Sequence, residues 1–128
     1  MKALSSIALI AALAAGNAYA ACTYPPPPDK LPDGATATRD EMLAGKAKVT
    51  EYDKAIGEYT TCLQKETDES IAKLASISDD KEREAKKADI QKMHDQKHNA
   101  AVESDEQVAT RFNEQLRAYN QKAKEKKN

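Results

Sequence analysis

Four residues have types and spacing that can do chemistry: Cys22, Cys62, His94 and His98. Two thiols in one chain can close a disulfide, which persists where the surroundings are oxidising. Two imidazoles four residues apart share one face of a helix, the spacing at which a pair grips one ion in helical zinc or copper sites. As a metal site the pair is incomplete: no third ligand is evident, Asp95 is expected to point off the pair's face, and the zincin glutamate is absent. Two solvated histidines are the plainer expectation, and their titration range still lets them respond to acidity. Tyr52 and Tyr59 are expected to pack in a helix seam with their hydroxyls at its edge. The sequence contains no serine-nucleophile motif, no glycine-rich phosphate loop and no CxxC pair. Thin helices offer little wall for a concave pocket, so no enzyme and no cofactor are expected.

Positioning these residues falls to two long helical stretches. In the first, Met42, Val49, Ile56 and Leu63 stand seven apart, and Tyr52 and Tyr59 follow Val49 and Ile56 by three. That is the a/d seam of a helix that meets another helix. Thr38 with Glu41 is a capping-box signature, and Asp40 and Glu41 place negative charge on the positive end of the helix dipole. No Gly or Pro falls between Thr60 and Ser78, so the spacing predicts a helix over 38–77, with a change of phase where Ile71 follows Leu63 by eight.

Ser78-Asp79-Asp80 reads as a turn, and Asp79 with Glu82 repeats the cap logic. A second helix is expected over 80–124. Its first part is a solvated, charged face from Asp79 to Lys87, and its apolar stripe runs through Ile90, Met93, Ala101, Val108, Phe112, Leu116 and Tyr119. In an antiparallel pairing, Val108, Phe112, Leu116 and Tyr119 meet Met42, Val49, Tyr52 and Ile56, so the strong ends of both stripes coincide. The expected fold is therefore all-α, an antiparallel, coiled-coil-like helical hairpin preceded by a Pro-rich extended arm. Residues 125–128 are expected to be a frayed basic tail. Its lysines and Lys122 and Lys124 complement the dipole's negative end, with a weak contact to an anionic lipid or polymer as the other option.

The arm is assigned to residues 21–37, where Pro25 to Pro28 impose polyproline II and Pro32-Asp33-Gly34 marks a turn. Cys22 is expected to pair with Cys62, and the lengths allow it. Cys62 lies ~36 Å along the helix axis at ~1.5 Å per residue. The connecting segment can reach ~50 Å at ~3.1 Å per residue in polyproline II, provided it turns at Asp33-Gly34 and runs back. A loop of that length contributes on the order of 3–4 kcal/mol when crosslinked. Two alternatives stay open: a bridge between two molecules, and a lipidated Cys22 beside a free Cys62.

Residues 1–20 carry Lys2, an apolar run from Ala8 to Ala15, and Ala18-Tyr19-Ala20. This is the pattern of a cleaved secretory signal peptide, with Ala21 as the mature N-terminus and the periplasm as the address. The apolar run falls short of the ~20 residues of a membrane span, so none is expected. Lipoproteins are cleaved before a cysteine that usually has an aliphatic residue three positions earlier, and here Tyr19 stands there.

The chain of 128 residues holds 20 Lys and Arg against 21 Asp and Glu, a net charge of −1, and neither sign dominates as it would in a nucleic-acid binder. It has no Trp, one Phe and a charged fraction of 32%, too little apolar bulk for a large central core but enough for helices sharing a narrow seam.

Cys22-Thr23-Tyr24-Pro25, Pro32-Asp33-Gly34, Ala37-Thr38, Glu41-Met42, Tyr52, Tyr59 and Cys62-Leu63 together resemble small exported proteins of Gram-negative bacteria. Asn99-Ala100-Ala101-Val102, Val108-Ala109 and Arg111-Phe112-Asn113-Glu114-Gln115 are similar to the same group. The resemblance implies a periplasmic address and a matched cysteine pair, and it implies no activity. The expected role is structural or protein-binding, with a partner in the cell envelope or a second copy. A metal-binding or metal-responsive protein using His94 and His98, and a chaperone-like clamp holding unfolded clients, are the alternatives.

Overall fold

Thr38 starts the first helix by reciprocal capping. Its hydroxyl accepts from the Glu41 N–H at 3.2 Å, and the Glu41 carboxylate accepts from the Thr38 N–H at 2.6 Å. Two amides that the helix itself cannot satisfy are thus occupied. From there α1 spans Arg39–Lys73 in the computed structural model of the chain, which describes residues 21–125. The segment expected to be a signal peptide, 1–20, and residues 126–128 of the expected basic tail lie outside the described residues.

The sequence carried this helix to residue 77, whereas α1 stops at Lys73 and tightens into a 3-10 turn over Leu74–Ser76. The acceptors freed at this end are met locally. The Ser76 hydroxyl donates to the Lys73 carbonyl at 3.0 Å, and the Ile77 N–H donates to Leu74 O at 3.0 Å, so side chain and tightened backbone together take the freed acceptors. Ile77 is already extended, and its carbonyl accepts from Arg83 Nη1 at 2.9 Å. Asp79 then caps α2, which spans Asp80–Glu125, by accepting from the Glu82 N–H at 2.8 Å. Glu125, assigned to the tail by the sequence, is still helical.

The described residues form two helices that pack against each other, without a strand. They run in opposite directions: Tyr52 bonds Ser104, Gly34 bonds Gln115, and Thr67 and Ser70 lie beside Ile90 and Met93. The seven-residue spacing of α1 becomes the core. Tyr52, Ile56, Tyr59 and Leu63 pack with Ala101 and Val108 of α2, and Met42 packs with Phe112 and Ala37. The larger of these side chains, such as Met42, Ile56, Leu63, Val108 and Phe112, each contribute about 1.5–3 kcal/mol when fully removed from water. Toward the connection the pairing thins, because the first turns of α2 present mainly charged residues.

Residues 21–37 form neither helix nor strand, and their contacts follow α1 back toward its start. Cys22 is bonded to Cys62 with a Cα–Cα distance of 5.8 Å. Next, Pro25, Pro26 and Pro28 lie beside Lys48, Glu51, Tyr52 and Ala55. Leu31 packs on the Met42 cluster, and Pro32 lies over Gly45, where an added Cβ would come within 2.5 Å of the proline ring. The Gly34 N–H then donates to Gln115 Oε1 at 2.9 Å, which ties this segment to α2 as well.

Candidate interaction face

A two-helix pair leaves its seam open along two sides, and this chain treats the sides differently. At about 100° per residue, Glu41, Ala44, Lys48, Glu51 and Ala55 lie to one side of the Met42–Leu63 stripe, while Arg39, Leu43, Lys46 and Thr50 lie to the other. The N-terminal segment occupies the first side. On the second, Arg39, Leu43, Lys46 and Thr50 of α1 and Asn113, Leu116 and Tyr119 of α2 border a groove of about 460 Å³, floored by Met42, Val49 and Phe112. Leu43 is 54% exposed and Leu116 38% exposed at its rim.

The covered side is held by the disulfide and by aromatic contacts. The Tyr24 ring meets Tyr59 edge-on, with centroids 5.2 Å apart. The Tyr52 hydroxyl and Ser104 Oγ lie 2.8 Å apart. Burial pushes both phenols above their ordinary value, and the phenol of Tyr24 adds to the effect. These tyrosines pack and stay protonated.

Further along the open side, burial holds the Asp105 carboxyl above its ordinary range, and the neighbouring Asp53 carboxylate raises it again. Oδ1 of Asp105 is buried without a hydrogen-bond partner among the described residues. A cation brought to this place would offset the repulsion between the two carboxylates and favour their ionised forms.

Of the seam residues named from the sequence, Met42, Tyr52, Ile56, Tyr59, Val108 and Phe112 are buried, and Val49 and Tyr119 are half-buried against the core. Leu116 differs. Phe112 already lies under Gly45, and one turn later the stripe has rotated away, leaving Leu116 at the groove's edge. Leu43 was missed because it is out of phase with the heptads, although the doublet Met42-Leu43 is itself a sign of a wider apolar arc. Asp53 and Asp105 were missed because nothing in their spacing along the chain announces a meeting across two helices.

His94 and His98 stack with ring centroids 5.7 Å apart. Asp95, which the sequence placed off the pair's face, curls back so that its Oδ1 lies 3.1 Å from His94 Nδ1. Nε2 of His94 is buried and unpartnered, beneath Glu66, Thr67 and Ser70 of α1. Among the described residues no group of three or more His, Cys, Asp or Glu is arranged to hold a metal ion. A broader hollow of about 670 Å³ lies on α1 beside the disulfide, with Lys54, Lys65, Glu58 and Glu66 among its mixed charges and no convergent set of ligands.

No described helix is long and apolar enough to cross a membrane. No family model matches the chain, and comparison with curated proteins and with solved structures found no similar one.

Proposed function

We propose that this chain is a non-enzymatic protein-interaction module of the bacterial periplasm. It is a coiled-coil-like hairpin whose Pro-rich extended arm closes one side and whose other side receives a protein partner. The observation that carries this reading is the asymmetry of the seam. A disulfide, a tyrosine pair and the hydrogen bond from the Gly34 N–H to the Gln115 side chain hold the arm on one side, while Leu43 and Leu116 stand exposed on the other. An apolar floor with a polar rim is the anatomy of a protein contact. The periplasmic address is supported by the leader-like composition of residues 1–20 and by the disulfide, which belongs to an oxidising compartment.

The test is photocrosslinking in living cells from a reactive residue placed at Leu43 or Leu116, with Lys92 as a control outside the groove. Discrete protein adducts from the two groove positions and none from Lys92 are expected. Absence of any adduct from the groove would end the reading.

Metal binding is a second reading, favoured by the stacked histidine rings and the unpartnered Nε2 of His94. Titration calorimetry with copper and zinc on wild type and on His94→Ala/His98→Ala decides it. Equal heats remove the metal from consideration.

A further inference from the structure

Resting on the interaction-module reading, we infer that the partner in the groove is a second copy of this chain, the two α1 helices lying antiparallel about a two-fold axis beside Thr50. The open side of α1 is self-complementary in both shape and charge. Leu43, Lys46, Thr50, Asp53 and Gly57 recur at three- and four-residue spacing and so share one face. A two-fold axis at Thr50 brings Leu43 of one copy level with Gly57 of the other, and Lys46 of one copy to within one residue, about 1.5 Å of axial rise, of Asp53 of the other.

Each half of these pairings lacks something within one chain. Gly57 is exposed, and a Cβ built on it meets nothing within 4 Å, so the backbone there can admit a leucine from outside. Arg39 and Lys46 make no ion pair among the described residues, and neither do Asp53 and Asp105. Across the axis the basic end of one groove faces the acidic middle of the other, so that Lys46 meets Asp53, whose carboxylate neighbours Asp105. An unrelated partner would have to carry the reverse pattern of charges, whereas a second copy has it by construction. The assembly has two hairpins face to face, the four-helix arrangement that closes a seam two helices leave open.

Sedimentation equilibrium of the purified, disulfide-intact protein tests the inference, with circular dichroism confirming that each variant keeps its helices. Wild type is expected to dimerise. Lys46→Glu and Asp53→Lys are each expected to weaken the dimer about tenfold or more. The double variant Lys46→Glu/Asp53→Lys is expected to recover most of that loss, because the pair is restored with its signs exchanged. Lys92→Glu is expected to change nothing. A wild type that stays monomeric at about 100 µM, or a dimer indifferent to the single reversals or unrecovered in the double variant, overturns the inference. A monomer that still crosslinks from Leu43 to a different protein overturns only the identity of the partner. Absence of every groove adduct overturns the interaction reading itself.

Discussion

At Gly34 one methyl group is enough to separate the N-terminal segment from α2. A Cβ there would lie 1.8 Å from the Gln115 carbonyl oxygen and 2.9 Å from the Tyr119 nitrogen, and helical backbone cannot step aside. Gly34→Ala is therefore expected to cost about 1–3 kcal/mol, read from urea unfolding, and to speed amide exchange over residues 31–37. Val108 and Leu116 make the opposite comparison. Val108 is 0% exposed, and Val108→Ala is expected to cost about 2 kcal/mol through lost burial and the cavity left behind. Leu116→Ala, at the groove rim, is expected to stay within about 0.5 kcal/mol in dilute protein. Equal losses would mean that the assignment of seam and rim is wrong. Asp105 adds a pH dependence. Its folded carboxyl holds a proton to higher pH than an unfolded aspartate, so between those two values the native state binds more protons and stability falls as pH rises. In dilute protein, Asp105→Asn should raise the Tm at neutral pH and flatten that slope. An unchanged slope would show that this carboxyl is not the group responsible.

Among the elements, helix starts were more legible than helix ends. Thr38 and Glu41 announce their reciprocal bonds in the sequence, and Asp79 announces the start of α2. α1 ends instead in a tightened turn in which the Ser76 hydroxyl takes the Lys73 carbonyl and the Ile77 N–H turns to Leu74, a change that neither periodicity nor the absence of Gly and Pro reveals. Asp95 shows the same limit at a finer scale: spacing places a residue on a face, but a short side chain can bend to its neighbour. The N-terminal segment depends on Cys62 for its anchorage. Reducing the Cys22–Cys62 bond is expected to lower stability by on the order of 3–4 kcal/mol. It should also free Tyr24 from Tyr59, read as faster hydroxyl-radical oxidation of Tyr24, while most of the helical circular dichroism persists, because the Ile56, Leu63 and Val108 contacts lie between α1 and α2 themselves. Collapse of both helices on reduction would show that the segment is part of the core rather than a cover for it.

For the whole molecule, the seven-residue spacing of α1 named most of its residues that pack on α2, and the coincidence of the strong ends of the two stripes named the antiparallel direction. Which side of the seam stays open was hidden, because it depends on where the returning segment lies, and a reach argument constrains distance but not side. Leu43 and the Asp53–Asp105 pair acquire meaning only after that side is fixed. The central claim is that one side of the hairpin is covered by its own chain and the other by a protein. Hydroxyl-radical footprinting tests this most directly, comparing the protein in the intact cell envelope with dilute purified protein. Leu43, Leu116 and Tyr119 should be oxidised markedly less in the envelope, while Met93, exposed outside the groove, is oxidised equally in both. Equal oxidation of the three groove residues in the two settings would contradict the account.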